Sequence, residues 1–67
     1  MQNNNSGNVK LLEIAGRVRD MREISGYTEE QMASLTHISV DEYKTYEAGL
    51  DDFPFSFIHR CSQVFGI

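Results

Sequence analysis

Cysteine, positive charge and long apolar runs are all scarce in this chain, and each shortage excludes something. Cys61 is the only cysteine among 67 residues, so no internal disulfide can form. A lone thiol suits a reducing compartment, and the expected location is the cytoplasm. No apolar run approaches the ~20 residues needed to cross a bilayer. The first residues are Asn-rich and lack the basic, then apolar order of a signal peptide; residues 1–8 read as a disordered polar tail. Six Lys and Arg stand against ten Asp and Glu, a formal charge of −4. That balance argues against a general attraction for polyanions, although which face carries which sign matters more than the sum. Length is a limit too: there is room for one core, over residues 9–67, and none for a second domain or an enclosed catalytic cleft. Strand alternation and internal repeats are lacking, which leaves an all-α domain.

What the chain does have is helical periodicity with well-marked starts and stops. In residues 9–25, Ile14, Val18, Met21 and then Ile24 or Ser25 recur at spacings of three and four, the stripe that a helix buries. Gly26 ends that helix. Thr28-Glu29-Glu30-Gln31 has the form of a capping box, in which the Thr hydroxyl accepts from the N–H of Gln31 while the Gln31 side chain reaches back. A short helix over residues 29–35 follows, with Met32, Ala33 and either Leu35 or Thr36 turned inward. Ser39, with Glu42 three residues on, forms a second such box and opens a helix whose buried positions are Tyr43 and Tyr46. Only about three residues separate these two helices, so they must turn sharply. Gly49 stops the third helix as a left-handed residue. Over residues 54–65, Phe55, Ile58, Cys61 or Ser62, and Phe65 fall at helical spacing, and Phe57 falls off that stripe, toward solvent.

Counted from Glu29, Met32 and Ala33 are the fourth and fifth positions, His37 the ninth, Ile38 the tenth, Tyr43 the fifteenth and Tyr46 the eighteenth. This pattern over residues 28–47 resembles the helix-turn-helix of the phage-repressor (Cro/repressor, or XRE) family. The likeness extends over residues 14–67 through Arg22, Gly26-Tyr27-Thr28, Glu47-x-Gly49 and the Phe55, Ile58, Cys61, Phe65-Gly66-Ile67 series. It implies a compact five-helix bundle of the phage-repressor DNA-binding type with a central helix-turn-helix. Ala33 would be small because two helices cross beneath it. Arg22 and Glu47 match an ion pair buried between the first and third helices, which a fully exposed Glu47 would contradict. His37 departs from the family's usual Gly at a turn position needing positive φ, a conformation His tolerates better than most residues. Thr36 departs as well, standing where an aliphatic or small residue is common.

The resemblance further implies sequence-specific binding of double-stranded DNA by the N-terminal domain of a longer transcriptional regulator, with a recognition helix over residues 40–46 in the major groove. Ser39, Val40, Asp41, Lys44 and Thr45 match its base- and backbone-contacting positions. Val40 can touch a thymine methyl, Ser39 and Thr45 can bond bases or phosphates, Asp41 can accept from cytosine N4, and Lys44 is the one cation. Around Thr28 and Glu29, the start of the second helix offers N–H groups to a phosphate, flanked by Lys10, Arg17, Arg19 or Lys44. Asp51-Asp52 stands where relatives are often basic. With about two to four phosphate contacts, one domain binds weakly and with a shallow salt dependence. A second reading keeps the fold and changes the partner: a protein-interaction module whose acidic face meets a basic protein. The longer regulator is expected to be a homodimer and the isolated domain a monomer. The Phe-Pro-Phe…Gly-Ile ending resembles regulators that carry a C-terminal small-molecule sensor, often a cupin barrel.

Catalytic and metal chemistry find little support. His59 and Cys61 are two apart, about 200° around a helix, and cannot grip one ion together. Cys61 lies on the core stripe and reads as a small buried hydrophobe. No cofactor, metal or enzymatic activity is expected, and no membrane association.

Overall fold

Caps and left-handed stops divide the chain into four helices. The computed structural model describes residues 3–67, with side chains from Lys10 onward. In chain order the helices are α1 (Asn3–Ser25), α2 (Glu29–Thr36), α3 (Val40–Glu47) and α4 (Phe55–Phe65). Among the described residues there is no strand, and no helix is long and apolar enough to cross a membrane. The expected five helices are corrected to four among these residues. The connection after α3 adds none, because Gly49 turns to φ 71° and Pro54 is extended at φ −72°, ψ 156° as the cap of α4. At the other end α1 reaches back to Asn3, ahead of the start at residue 9 that periodicity gives; once a helix is nucleated, each added residue gains a hydrogen bond at little cost. Of the polar tail expected over residues 1–8, Met1 and Gln2 lie outside the described residues.

The helix ends are satisfied locally. Thr28 Oγ1 accepts from the Gln31 N–H at 3.0 Å while the Thr28 N–H donates to Gln31 Oε1 at 2.8 Å, a complete capping box. At α3 only half of the expected second box forms. Ser39 Oγ accepts from the Glu42 N–H at 3.0 Å, but the Glu42 carboxylate accepts from the Tyr46 hydroxyl, one turn on, at 3.2 Å. At the end of α3 the Gly49 N–H donates to the Tyr46 carbonyl and the Leu50 N–H to that of Thr45, the paired bonds of a Schellman stop. The end of α2 has the same pattern, with His37 in the left-handed position at φ 63°, ψ 40°. His37 is the one non-glycine at positive φ among the described residues.

One core joins all four helices: Val18 of α1, Met32 and Ala33 of α2, Tyr43 of α3, and Phe57 and Cys61 of α4. Thr36 is buried with them, and its hydroxyl donates to the Met32 carbonyl one turn back at 2.7 Å, so a polar side chain is accommodated without an unpaired atom. Of the alternatives left open by periodicity, Thr36 and not Leu35 faces inward, as does Cys61 more fully than Ser62. Ile24 and Ser25 are both exposed. In α4 the expected stripe is rotated. Phe57 is buried at 3 % exposure while Phe55 stands out at 81 %. The reason lies in α3: Tyr43 and Tyr46 place their rings 5.8 and 4.9 Å from that of Phe57, and Phe53 adds a third at 5.5 Å, so an aromatic cluster draws Phe57 inward. Phe55, the first residue of α4, stacks on His59 at the surface, ring centroids 6.4 Å apart.

Candidate nucleic-acid interface

Helices α2 and α3 are joined by His37, Ile38 and Ser39 alone, and the left-handed turn at His37 lets the chain double back so sharply. Ala33, 1 % exposed, belongs to the core against which the helices pack. A larger side chain there would push them apart. The turn is braced from α4 by Arg60, whose Nη1 donates to the Thr36 carbonyl at 3.1 Å. This brace has no local sequence signal, since its partners are 24 positions apart.

The orientation of α3 is held by a buried polar cluster. Arg22 of α1 donates from Nε to Glu47 Oε2 at 2.9 Å and from Nη2 to Glu47 Oε1 at 3.2 Å, the bidentate fork of guanidinium on carboxylate. Its remaining Nη1 donates to the Tyr27 carbonyl at 3.0 Å. One side chain thereby joins the end of α1, the turn before α2 and the end of α3. The Tyr43 hydroxyl donates to the same Glu47 carboxylate at 2.6 Å. Glu47 is 6 % exposed, and the Arg22 side chain 14 %. The hydrogen bond to Glu47 holds the Arg22 pKa above its ordinary value, and burial, then Glu47, push that of the Tyr43 phenol up. Tyr43 and Glu47 are four apart on one helix, a spacing that brings side chains together, so this contact was open to sequence reasoning.

The outer face of α3 carries the remaining chemistry. Asp41, Glu42 and Lys44 are exposed, as is Ser39 at its cap. Thr45 is half-buried, and its hydroxyl donates to the Asp41 carbonyl at 2.9 Å. Val40 is half-buried against the core and offers only part of its side chain outward. At the start of α2 the capping box occupies the N–H groups of Thr28 and Gln31, leaving those of Glu29 and Glu30 to point outward. The Glu29 carboxyl is half-buried, and burial, then the charge of Glu47, raises its pKa above the ordinary value against the lowering pull of Arg22 and Lys44.

Asp41 and Lys44 thus share the exposed side of α3, with Ser39 exposed at its cap. Thr28 and Glu29 open the neighbouring helix, and Arg22 and Glu47 lie behind both as a support. Lys10, Arg17 and Arg19 are exposed on α1, and Asp51 and Asp52 are exposed in the connection after α3. Among the described residues no cluster of three or more His, Cys, Asp or Glu could hold a metal ion. Burial, then the charge of Glu47, pushes the Cys61 thiol up to about 11, far from a reactive thiolate. A family model described as a helix-turn-helix domain matches residues 13–67. No curated protein and no solved structure matches the chain.

Proposed function

The chain belongs to the helix-turn-helix domain family, and from that premise we propose that it binds double-stranded DNA sequence-specifically as the DNA-binding domain of a transcriptional regulator. In this reading α3 lies in the major groove, Ser39, Asp41, Lys44 and Thr45 face the bases or flanking phosphates, and Val40 adds an apolar contact. The outward N–H groups at the start of α2, beside Thr28 and Glu29, meet a backbone phosphate. The observation that carries the reading is the firm support behind α3. Three hydrogen bonds converge on Glu47 at the rear of a helix whose outer side chains make few contacts of their own. Such support suits a helix that presents side chains in fixed geometry. The longer regulator acts as a homodimer on two half-sites, since one domain with few cations binds weakly alone.

Fluorescence anisotropy with a pool of random duplexes at low and moderate salt tests this. Binding at low salt that weakens with a log–log slope of about −2 to −4 is expected for two to four phosphate contacts. No binding at the lowest salt contradicts it. The exposed acids Asp41, Glu42, Asp51 and Asp52 favour a second reading, a protein-interaction module for a basic partner, and that reading gains if DNA binding fails.

A further inference from the structure

The hydrogen-bonding capacity left on the outer face of α3 limits which bases that face can recognise. The Thr45 hydroxyl has one proton, and it is committed to the Asp41 carbonyl at 2.9 Å. Toward a ligand Thr45 is therefore an acceptor with a methyl group. The carboxylate of Asp41 offers acceptors and no donor. It is exposed and forms no ion pair with Lys44 among the described residues, so its carboxylate is unspent. Residues 41 and 45 are four apart, on one face of the helix. The face thus presents two acceptors one turn apart, with Lys44 as the donor beside them. Glu42 is set apart by its bond from the Tyr46 hydroxyl at 3.2 Å.

In the major groove, amino donors are presented by cytosine N4 and adenine N6. Adenine sets its N7 acceptor next to N6, which repels a carboxylate, whereas cytosine has only a C–H beside N4. Thymine O4 and guanine O6 and N7 are acceptors and repel it outright. The guanine paired with that cytosine offers O6 and N7 to a cation. We propose that Asp41 specifies a cytosine on one strand and Lys44 contacts the guanine paired with it, making a C·G pair the most strongly fixed position of the site. This rests on the DNA-binding reading above, and it names the base pair that the reading leaves open.

Selection from random duplexes with the wild-type chain and with Asp41→Asn, followed by anisotropy on single-pair variants of the selected site, tests the proposal. The wild type is expected to enrich a site containing one dominant C·G pair, and changing that pair is expected to weaken binding about ten- to a hundred-fold. Asp41→Asn is expected to move the preference at that position to adenine, since an amide pairs with N6 and N7 together, and to leave other positions as they were. Asp41 is exposed on the first turn of α3, and far-UV circular dichroism checks that the variant stays folded. A wild type that binds without favouring C·G overturns the proposal and leaves DNA binding standing. So does an Asp41→Asn variant that selects the wild-type site. Failure of the wild type to bind any duplex overturns both.

Discussion

Replacing Glu47 by alanine removes the acceptor of three hydrogen bonds, from Arg22 Nε, Arg22 Nη2 and the Tyr43 hydroxyl. Arg22 is left with a guanidinium 14 % exposed at the side chain, holding the Tyr27 carbonyl at 3.0 Å and the exposed Glu23 carboxylate only at 3.8 Å, and Tyr43 is left with an unpaired buried hydroxyl. Removing one partner of a buried ion pair costs about 3–5 kcal/mol, because the other charge stays buried and uncompensated. At ~0.05–0.15 kcal/mol per residue, a domain of this length has a total stability of roughly 3–10 kcal/mol. Glu47→Ala is therefore expected to bring the chain close to its unfolding threshold, and Arg22→Ala to act similarly. The double variant is expected to cost less than the sum of the two by about 0.5–3 kcal/mol, since it leaves no charge stranded. Urea denaturation followed by circular dichroism measures all three. A loss below ~1 kcal/mol for Glu47→Ala, or additive single losses, would refute the claim that this pair holds α3 on α1.

Further expectations concern the turn, the core and the half-buried acid. His37→Gly is expected to raise stability by about 1 kcal/mol, because a left-handed conformation costs a non-glycine residue about 1–2 kcal/mol and glycine returns part of this as unfolded-state entropy; the thermal midpoint then rises by about 4–8 °C. Phe57→Ala is expected to cost about 3–5 kcal/mol in urea denaturation and Phe55→Ala less than about 0.5 kcal/mol; similar losses at both positions would mean that α4 buries another face. The raised pKa of Glu29 means that its proton is bound more tightly in the folded chain. Its contribution is fully present below the unfolded pKa and is lost as pH rises through the folded one. The contribution of Glu29 to stability should therefore decline with pH from the ordinary carboxylate range upward, and Glu29→Gln should remove that decline relative to the wild type in denaturation curves taken at several pH values.

The helices were legible where the chain marks them locally. Thr28 with Gln31, Gly26 and Gly49 declare starts and stops by chemistry that acts within a few residues, and Met32, Ala33, Val18 and Tyr43 fall into the core at helical spacing. Rotation of a helix about its axis is set by its neighbours. The periodicity of α4 fits a stripe through Phe55 as well as one through Phe57, and only the rings of Tyr43, Tyr46 and Phe53 decide between them. The half-formed cap at Ser39 has a similar origin, since Glu42 can bond backward or forward and the Tyr46 hydroxyl takes it forward. At the candidate interface, residue types could be read but not their free valences. Nothing in a sequence says that the Thr45 proton is already spent on Asp41, or that Arg60 braces Thr36 across the domain.

Whether the outer face of α3 meets DNA can be read residue by residue from amide chemical-shift mapping during titration with duplex DNA at low salt. The largest shifts are expected over residues 39–45 and at the start of α2, with Asp51 and Asp52 little affected. An unchanged spectrum over residues 39–45 at saturating DNA would contradict that contact.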